Sequence, residues 1–100
     1  KGSDVVFYCN IKEGTELNVL ASNDIVADTR AVVQAKLAQL GPVAGLVNFH
    51  CILRTLELEH RGTGSAYGQV FEGLPAIGFS TYGEAFIGHI NQTSTMLILQ

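Results

Sequence analysis

Residues 25–40 constrain the fold most, because they carry all the signals of an amphipathic helix. Seven positions recur with the helical period and define one stripe that must be buried: Ile25, Val26, Thr29, Val32, Val33, Leu37 and Leu40. Residues 22–24 (Ser-Asn-Asp) precede the stripe and supply side chains that cap a helix N-terminus. Gly41 and Pro42 follow it and are typical of a helix end. This stripe predicts a helix packed on a sheet or on other helices.

Three segments flanking this helix predict strands. Residues 5–9 are β-branched and aromatic, and residues 16–21 alternate polar and apolar side chains. Gly14 lies in the turn between them and is able to adopt a positive φ, so the two segments predict a hairpin. Residues 44–53 form an apolar run with little alternation, which predicts a central strand that ends at Arg54.

The second half of the chain predicts one short helix and further strands. Residues 55–60 fit either a strand or a helix, and residues 65–71 predict a short helix. Residues 76–80 and 93–99 predict strands, with a short extended piece at 85–90. The expected fold is α+β in the order β-β-α-β-α-β-β, with a single mostly antiparallel or mixed sheet and about two helices on one face.

Composition excludes several classes of partner. The net charge is −3 and the six basic residues are scattered, so the chain lacks a patch for nucleic acid or for anionic membranes. Its two cysteines, Cys9 and Cys51, are too few for a disulfide scaffold, which favours a cytoplasmic protein. No apolar run approaches a membrane span. The chain opens without Met and almost at once into a strand, so we expect residues 1–100 to be one domain cut from a longer protein.

Low charge also predicts that part of the surface is covered. Only 15% of the residues are charged, against about a quarter in an average globular domain. Some apolar surface is therefore expected to meet a ligand, a neighbouring domain or a second copy.

The run Gly78-Phe79-Ser80-Thr81-Tyr82-Gly83-Glu84 is the most unusual segment. A glycine inside a strand often marks the close approach of a ligand or of another backbone. Hydroxyls, an aromatic ring and a carboxylate follow in a row, which suits a small polar ligand held against an aromatic wall. A tight bulge whose polar groups satisfy the backbone is the alternative.

Cysteine and histidine supply few candidates for chemistry. His50 and Cys51 are adjacent in a predicted strand, so their side chains point to opposite faces and cannot form a nucleophile pair. The spacing of His50, His60 and His89 matches no compact zinc pattern, although one histidine would suffice as an axial haem ligand. No Ser/His/Asp set, paired carboxylates or phosphate loop can be assembled, so we expect no enzyme.

Three features of the chain resemble the FIST C-terminal domain, and the resemblance covers nearly the whole chain. They are residues 78–84, called the signature run below, the downstream residues 89–93 (His-Ile-Asn-Gln-Thr), and the Cys-x-x-Arg pattern at Cys51 and Arg54. The resemblance implies a sensory module, of the kind that occurs in prokaryotic signal-transduction proteins and in some F-box proteins. Its expected partners are a small-molecule ligand, an N-terminal FIST domain and a signalling output domain. Amino acids are the proposed ligands of such domains, and some relatives bind haem and respond to nitric oxide.

The leading hypothesis is therefore a small-molecule sensor. Arg54 would bind the carboxylate of the ligand. Glu84 and Asn91 would bind its amino group. The aromatic wall of the site would be formed by Phe79 or Tyr82. The full candidate set is Cys51, Arg54, Gly78, Phe79, Ser80, Tyr82, Gly83, Glu84 and Asn91. A haem-based gas sensor and a protein-interaction or homodimerisation module are the alternatives, and a thiol enzyme using Cys51 is the weakest.

Overall fold

A computed structural model describes residues 2–100. The elements follow in the order α1 (Ile25–Leu40), β1 (Gly45–Cys51), α2 (Ile52–Arg61), α3 (Gly64–Gln69), β2 (Ala76–Thr81), β3 (Glu84–Ala85), β4 (His89–Ile90) and β5 (Ser94–Leu99). The predicted α+β class and mixed sheet are confirmed. None of the described helices is both long enough and apolar enough to pass through a membrane.

Strand β1 is the centre of a three-stranded sheet in the order β2-β1-β5. It pairs in parallel with β2 and antiparallel with β5, while β3 and β4 form a separate two-stranded hairpin. Leu46 is 1% exposed and lies at the middle of the small core. Because β1 has neighbours on both sides, its side chains are the best fixed in the sheet.

Helix α1 begins and ends where the sequence predicts. The Asp24 carboxylate accepts hydrogen bonds from the backbone N–H groups of Val26 and Ala27, at 2.9 and 3.0 Å. At the other end Gly41 adopts a φ of 78° and its N–H donates to the Leu37 carbonyl. The predicted stripe is only partly covered, since Val33 is buried but Val32 is 62% exposed.

The predicted opening hairpin is wrong. Residues 2–24 contain no strand, and residues 2–20 are exposed throughout. The turn forms as expected, with Gly14 at a φ of 81°. β-branched and aromatic residues favour a strand only where a pleated neighbour packs against them, and a lone hairpin is marginal in water. These residues have no such neighbour in the described chain, so they form no ladder.

The central strand is shorter than expected. It ends at Cys51, and Ile52 begins α2, so residues 55–60 are helical and Arg54 lies in the first turn of a helix rather than at a strand end. An apolar run without alternation does not reveal where a strand stops and a helix starts. The short helix expected at 65–71 is observed as α3.

The two faces of the sheet differ. The face of β1 that carries Leu46, Asn48 and His50 is buried, and Tyr67 of α3 packs on it. The opposite face carries Phe49, whose ring meets that of Phe79 edge-on at 5.3 Å. The helices thus cover one face and leave an apolar one open.

Candidate functional site

A cavity of about 390 Å³ lies between the buried face of the sheet and helices α2 and α3. Three residues of the signature run line it, namely Gly78, Phe79 and Ser80 of β2. Because β2 is an edge strand, Phe79 borders the cavity although its ring packs against Phe49 on the other face of the sheet. At its edge the hydroxyls of Ser80 and Thr55 lie 2.9 Å apart and tie β2 to α2. The lining contains no Asp, Glu, Lys or Arg among the described residues, so the cavity is uncharged apart from what His50 contributes.

A chain of hydrogen bonds forms the polar part of this cavity. The Ser94 hydroxyl donates to Asn48 Oδ1 at 2.6 Å, and Asn48 Nδ2 donates to the Tyr67 hydroxyl at 3.0 Å. The same hydroxyl lies 3.1 Å from His50 Nδ1. Asn48 and His50 are both 7% exposed, so strands β1 and β5 and helix α3 are joined by polar contacts beneath the surface.

His50 leaves one ring nitrogen unused. Its Nε2 is buried and has no hydrogen-bond partner among the described residues. Burial lowers the pKa of His50 below its ordinary value of 6.5, Arg54 lowers it further, and Glu84 opposes the shift. The ring is therefore neutral at pH 7, and a buried polar atom without a partner costs about 1–3 kcal/mol.

Gly78 is required by close approach rather than by an unusual φ. A Cβ at this position would lie 2.9 Å from the carbonyl oxygen of Asn48 and 3.1 Å from its Cβ. The pairing of β2 with β1 thus depends on a residue without a side chain, as expected for a glycine inside a strand.

Glu84, the acid of the signature run, is 3% exposed. Its Oε1 accepts from the Thr81 hydroxyl at 2.5 Å, and its Oε2 accepts from the Thr93 hydroxyl at 2.7 Å. Burial acts to raise the pKa of Glu84, but hydrogen bonds from Thr81, Thr93 and Cys51 outweigh it and hold the pKa below its usual value of 4.5. The carboxylate therefore joins the end of β2, the β3–β4 hairpin and the start of β5.

A second, smaller cleft of about 200 Å³ brings together three other predicted residues, Cys51, Tyr82 and Asn91. Tyr8 from the irregular N-terminal segment also lines it. Cys51 is 1% exposed, and its Sγ accepts a hydrogen bond from the Gln92 N–H at 3.3 Å. Tyr82 is 87% exposed, so this cleft is open on one side.

The remaining two predicted residues lie elsewhere. Gly83 packs on the ring of His89, whose Cε1 would be 2.6 Å from an added Cβ. Arg54 donates to the Thr29 hydroxyl of α1 at 2.9 Å, and its guanidinium lies 6.0 Å from the centre of the Tyr67 ring. Arg54 lines neither of the two cavities, so the nine predicted residues do not surround a single space.

Sequence reasoning missed the polar chain of Ser94, Asn48, Tyr67 and His50. One signal was present, because Asn48 and His50 are two residues apart in an apolar strand and must share a face. Two polar side chains on one face of a central strand indicate that this face meets other polar groups. The hydrogen bonds of Tyr67 and Ser94 to these two side chains could not be predicted from the sequence, because they depend on the tertiary structure.

Haem does not fit this arrangement. An axial histidine needs a free ring nitrogen that faces an open pocket. His50 Nδ1 is held by Tyr67 and its Nε2 is covered by protein, while His60 and His89 are exposed at the surface. No group of three or more His, Cys, Asp or Glu side chains suited to a metal ion occurs within residues 2–100.

Comparison with known proteins identifies the family. The model of the FIST C domain matches residues 1–87, which include β1, β2, all three helices and the whole signature run. No curated protein and no solved structure matches the chain. The chain belongs to the FIST C domain family, a sensory-type family of signal-transduction proteins.

Proposed function

We propose that this chain is a ligand-binding sensory domain, and that it recognises a small molecule in the cavity between the sheet and helices α2 and α3. One observation carries the proposal. The cavity of about 390 Å³ has mostly apolar walls and a few convergent polar groups, as small-molecule sites do, and the signature run supplies one of its walls. The predicted catalytic inactivity of the domain is part of the same proposal, since a sensor needs only to bind.

The ligand class suggested by family resemblance is an amino acid. In the anticipated binding mode Arg54 would hold the carboxylate and Glu84 the amino group. Arg54 Nη2 donates to Thr29, and Glu84 accepts from two threonines, whereas the buried Arg54 Nε has no partner among the described residues. An amino acid bound in that mode would have to replace these contacts.

Binding is tested by thermal denaturation of the 100-residue chain against a set of amino acids and uncharged metabolites. A ligand at about 100 times its Kd adds about 2.7 kcal/mol to the free energy of unfolding. For a domain of this size each kcal/mol raises Tm by about 4–8 °C, so a true ligand is easily detected.

Two glycine variants locate the site. Gly68 lies in α3 and lines the cavity, whereas Gly64, in the same helix, does not. A Cβ at either position meets nothing within 4 Å, so both accept a side chain without local strain. Gly68→Leu should abolish binding by filling the cavity, and Gly64→Leu should preserve it. Equal binding to both variants would show that the ligand uses another site.

The open face of the sheet favours a second function, a protein-interaction surface. Ile77, Phe79 and Leu97 are 70%, 54% and 52% exposed, and they lie on the face that the helices leave uncovered. An N-terminal FIST domain or a second copy of the chain is the partner that the resemblance suggests. Apolar surface of this kind is typical of an interface.

Sedimentation over a dilution series tests self-association, and co-expression with an N-terminal FIST domain tests the other partner. Leu97→Asp should weaken whichever association is found, and Leu97 does not line the cavity. Ile87→Asp is the control, since Ile87 is fully exposed at the tip of the β3–β4 hairpin. If Ile87→Asp has the larger effect, the hairpin rather than the sheet face is the interface.

A further inference from the structure

One placement of the His50 proton lets every donor in the hydrogen-bond chain of the cavity find an acceptor within the chain. Ser94 donates to Asn48 Oδ1, which leaves the Asn48 amide nitrogen to donate to the Tyr67 hydroxyl. The Tyr67 hydroxyl has a single proton, and the acceptor within reach of it is His50 Nδ1 at 3.1 Å. A neutral imidazole that accepts at Nδ1 carries its proton at Nε2. In that placement His50 Nε2 is a buried N–H donor, and it has no acceptor among the described residues.

We propose that this cavity selects an uncharged molecule with a hydrogen-bond acceptor of the carbonyl or amide type, which takes the His50 Nε2–H, and with an apolar body that contacts Leu58 and Phe71. The inference rests on the proposed function and adds the chemistry of its ligand. Both apolar side chains and His50 line the same cavity. The acceptor would supply the partner that the buried donor lacks.

Charge complementarity excludes the alternatives for this cavity. A carboxylate or an ammonium group taken out of water needs an opposite charge beside it. The described lining offers none, and Arg54, which lies over the Tyr67 ring and donates to Thr29, is not part of that lining. A zwitterion would therefore leave both of its charges unpaired.

Access to the donor requires a small movement. Nε2 is covered by protein in this structure, so the side chains over it must shift when an acceptor enters. The cavity is open on one side, which leaves room for that shift. A rigid macrocycle would need a much larger displacement than a single carbonyl group.

Nuclear magnetic resonance of the chain labelled with 15N-histidine tests the tautomer directly. His50 should show a neutral ring protonated at Nε2 at pH 7, and it is assigned by the signal lost in His50→Phe. Tyr67→Phe removes the donor to Nδ1 and should abolish the fixed tautomer. A ring protonated at Nδ1, or a doubly protonated ring, would overturn the inference without any ligand being present.

Three probes with one ring and different charges test the selectivity: benzamide, benzoate and benzylamine. Benzamide should bind at least tenfold more tightly than the two charged probes, should shift the His50 Nε2 resonance, and should bind at least tenfold more weakly to His50→Phe. Gly68→Leu should block it, and Gly64→Leu should not. Tighter binding of a charged probe, or failure of benzamide to bind, contradicts the inferred chemistry. The proposed function fails separately, if no compound of the metabolite set binds the chain.

Discussion

Gly78→Ala is the most direct test of how the cavity wall is built. The two strands are in register at this point, with Asn48 of β1 opposite Gly78 of β2. The new Cβ would lie 2.9 Å from a backbone oxygen, closer than real Cβ contacts allow. Because β5 holds the other edge of β1, the edge strand β2 would have to move away and strain its hydrogen bonds to β1. Overpacking of this kind costs about 1–3 kcal/mol. At about 4–8 °C per kcal/mol, Tm should fall by about 4–24 °C.

The assay is thermal unfolding followed by circular dichroism, with Gly68→Ala as the matched control. Gly68 lies inside α3, where an added Cβ meets nothing within 4 Å. Alanine is favoured over glycine in a helix by about 0.5–1 kcal/mol, so this variant should melt slightly above the parent chain. If Gly78→Ala melts at the parental temperature or above it, the close approach of the two strands is not what requires glycine.

Three further changes test the hydrogen bonds of Glu84, the N-terminal cap of α1 and the hydrophobic core. Glu84→Gln should lower the free energy of unfolding by about 1–3 kcal/mol at pH 7, because it weakens hydrogen bonds to a charged acceptor. The folded pKa of Glu84 lies below 4.5, so the ionised carboxylate stabilises the fold above pH 4.5, and this stabilisation is lost as the pH falls through the folded pKa. Urea titrations should therefore show the difference in free energy of unfolding between the parent chain and Glu84→Gln decreasing in acid. A difference that stays constant with pH would contradict this. Asp24→Ala should cost about 1 kcal/mol and speed amide hydrogen exchange in the first turn of α1, whereas unchanged exchange would argue against the cap. Leu46→Ala should cost about 2–5 kcal/mol in the same titrations, and a loss below 1 kcal/mol would place the core elsewhere.

Local signals predicted the elements that local interactions stabilise. Helix α1 has its cap, its period and its terminating glycine within twenty residues, and both of its ends lie where the sequence placed them. The strands β2 and β5 were also recognised, because short, largely apolar runs bounded by turns are self-contained patterns.

Elements that depend on distant neighbours were not predictable in the same way. Residues 5–9 have the composition of a strand, but whether they form one depends on a pairing partner that the described chain does not provide. The boundary between β1 and α2 falls inside an apolar run, where burial by helix and by strand produce the same composition.

The candidate site shows the same division. Gly78 was singled out for close approach, and the structure supplies the neighbour, the backbone of Asn48. The polar chain in the cavity spans residues 48 to 94 and depends on the sheet pairing Asn48 with Met96 and His50 with Ser94. No spacing rule along the sequence connects such positions.

The end of β1 connects the cavity with the hydrogen bonds that Glu84 makes to Thr81 and Thr93. His50 and Cys51 are consecutive in β1, so they point to opposite sides of the strand. His50 lines the cavity, while the Cys51 backbone N–H donates to the carbonyl of Thr93, whose hydroxyl donates to the Glu84 carboxylate. The Cys51 Sγ also accepts from the Gln92 N–H. The end of β1 is therefore in contact both with the cavity and with the residues that hold the base of the β3–β4 hairpin. The signature run contributes to both places, since Gly78, Phe79 and Ser80 line the cavity and Glu84 accepts hydrogen bonds from Thr81 and Thr93.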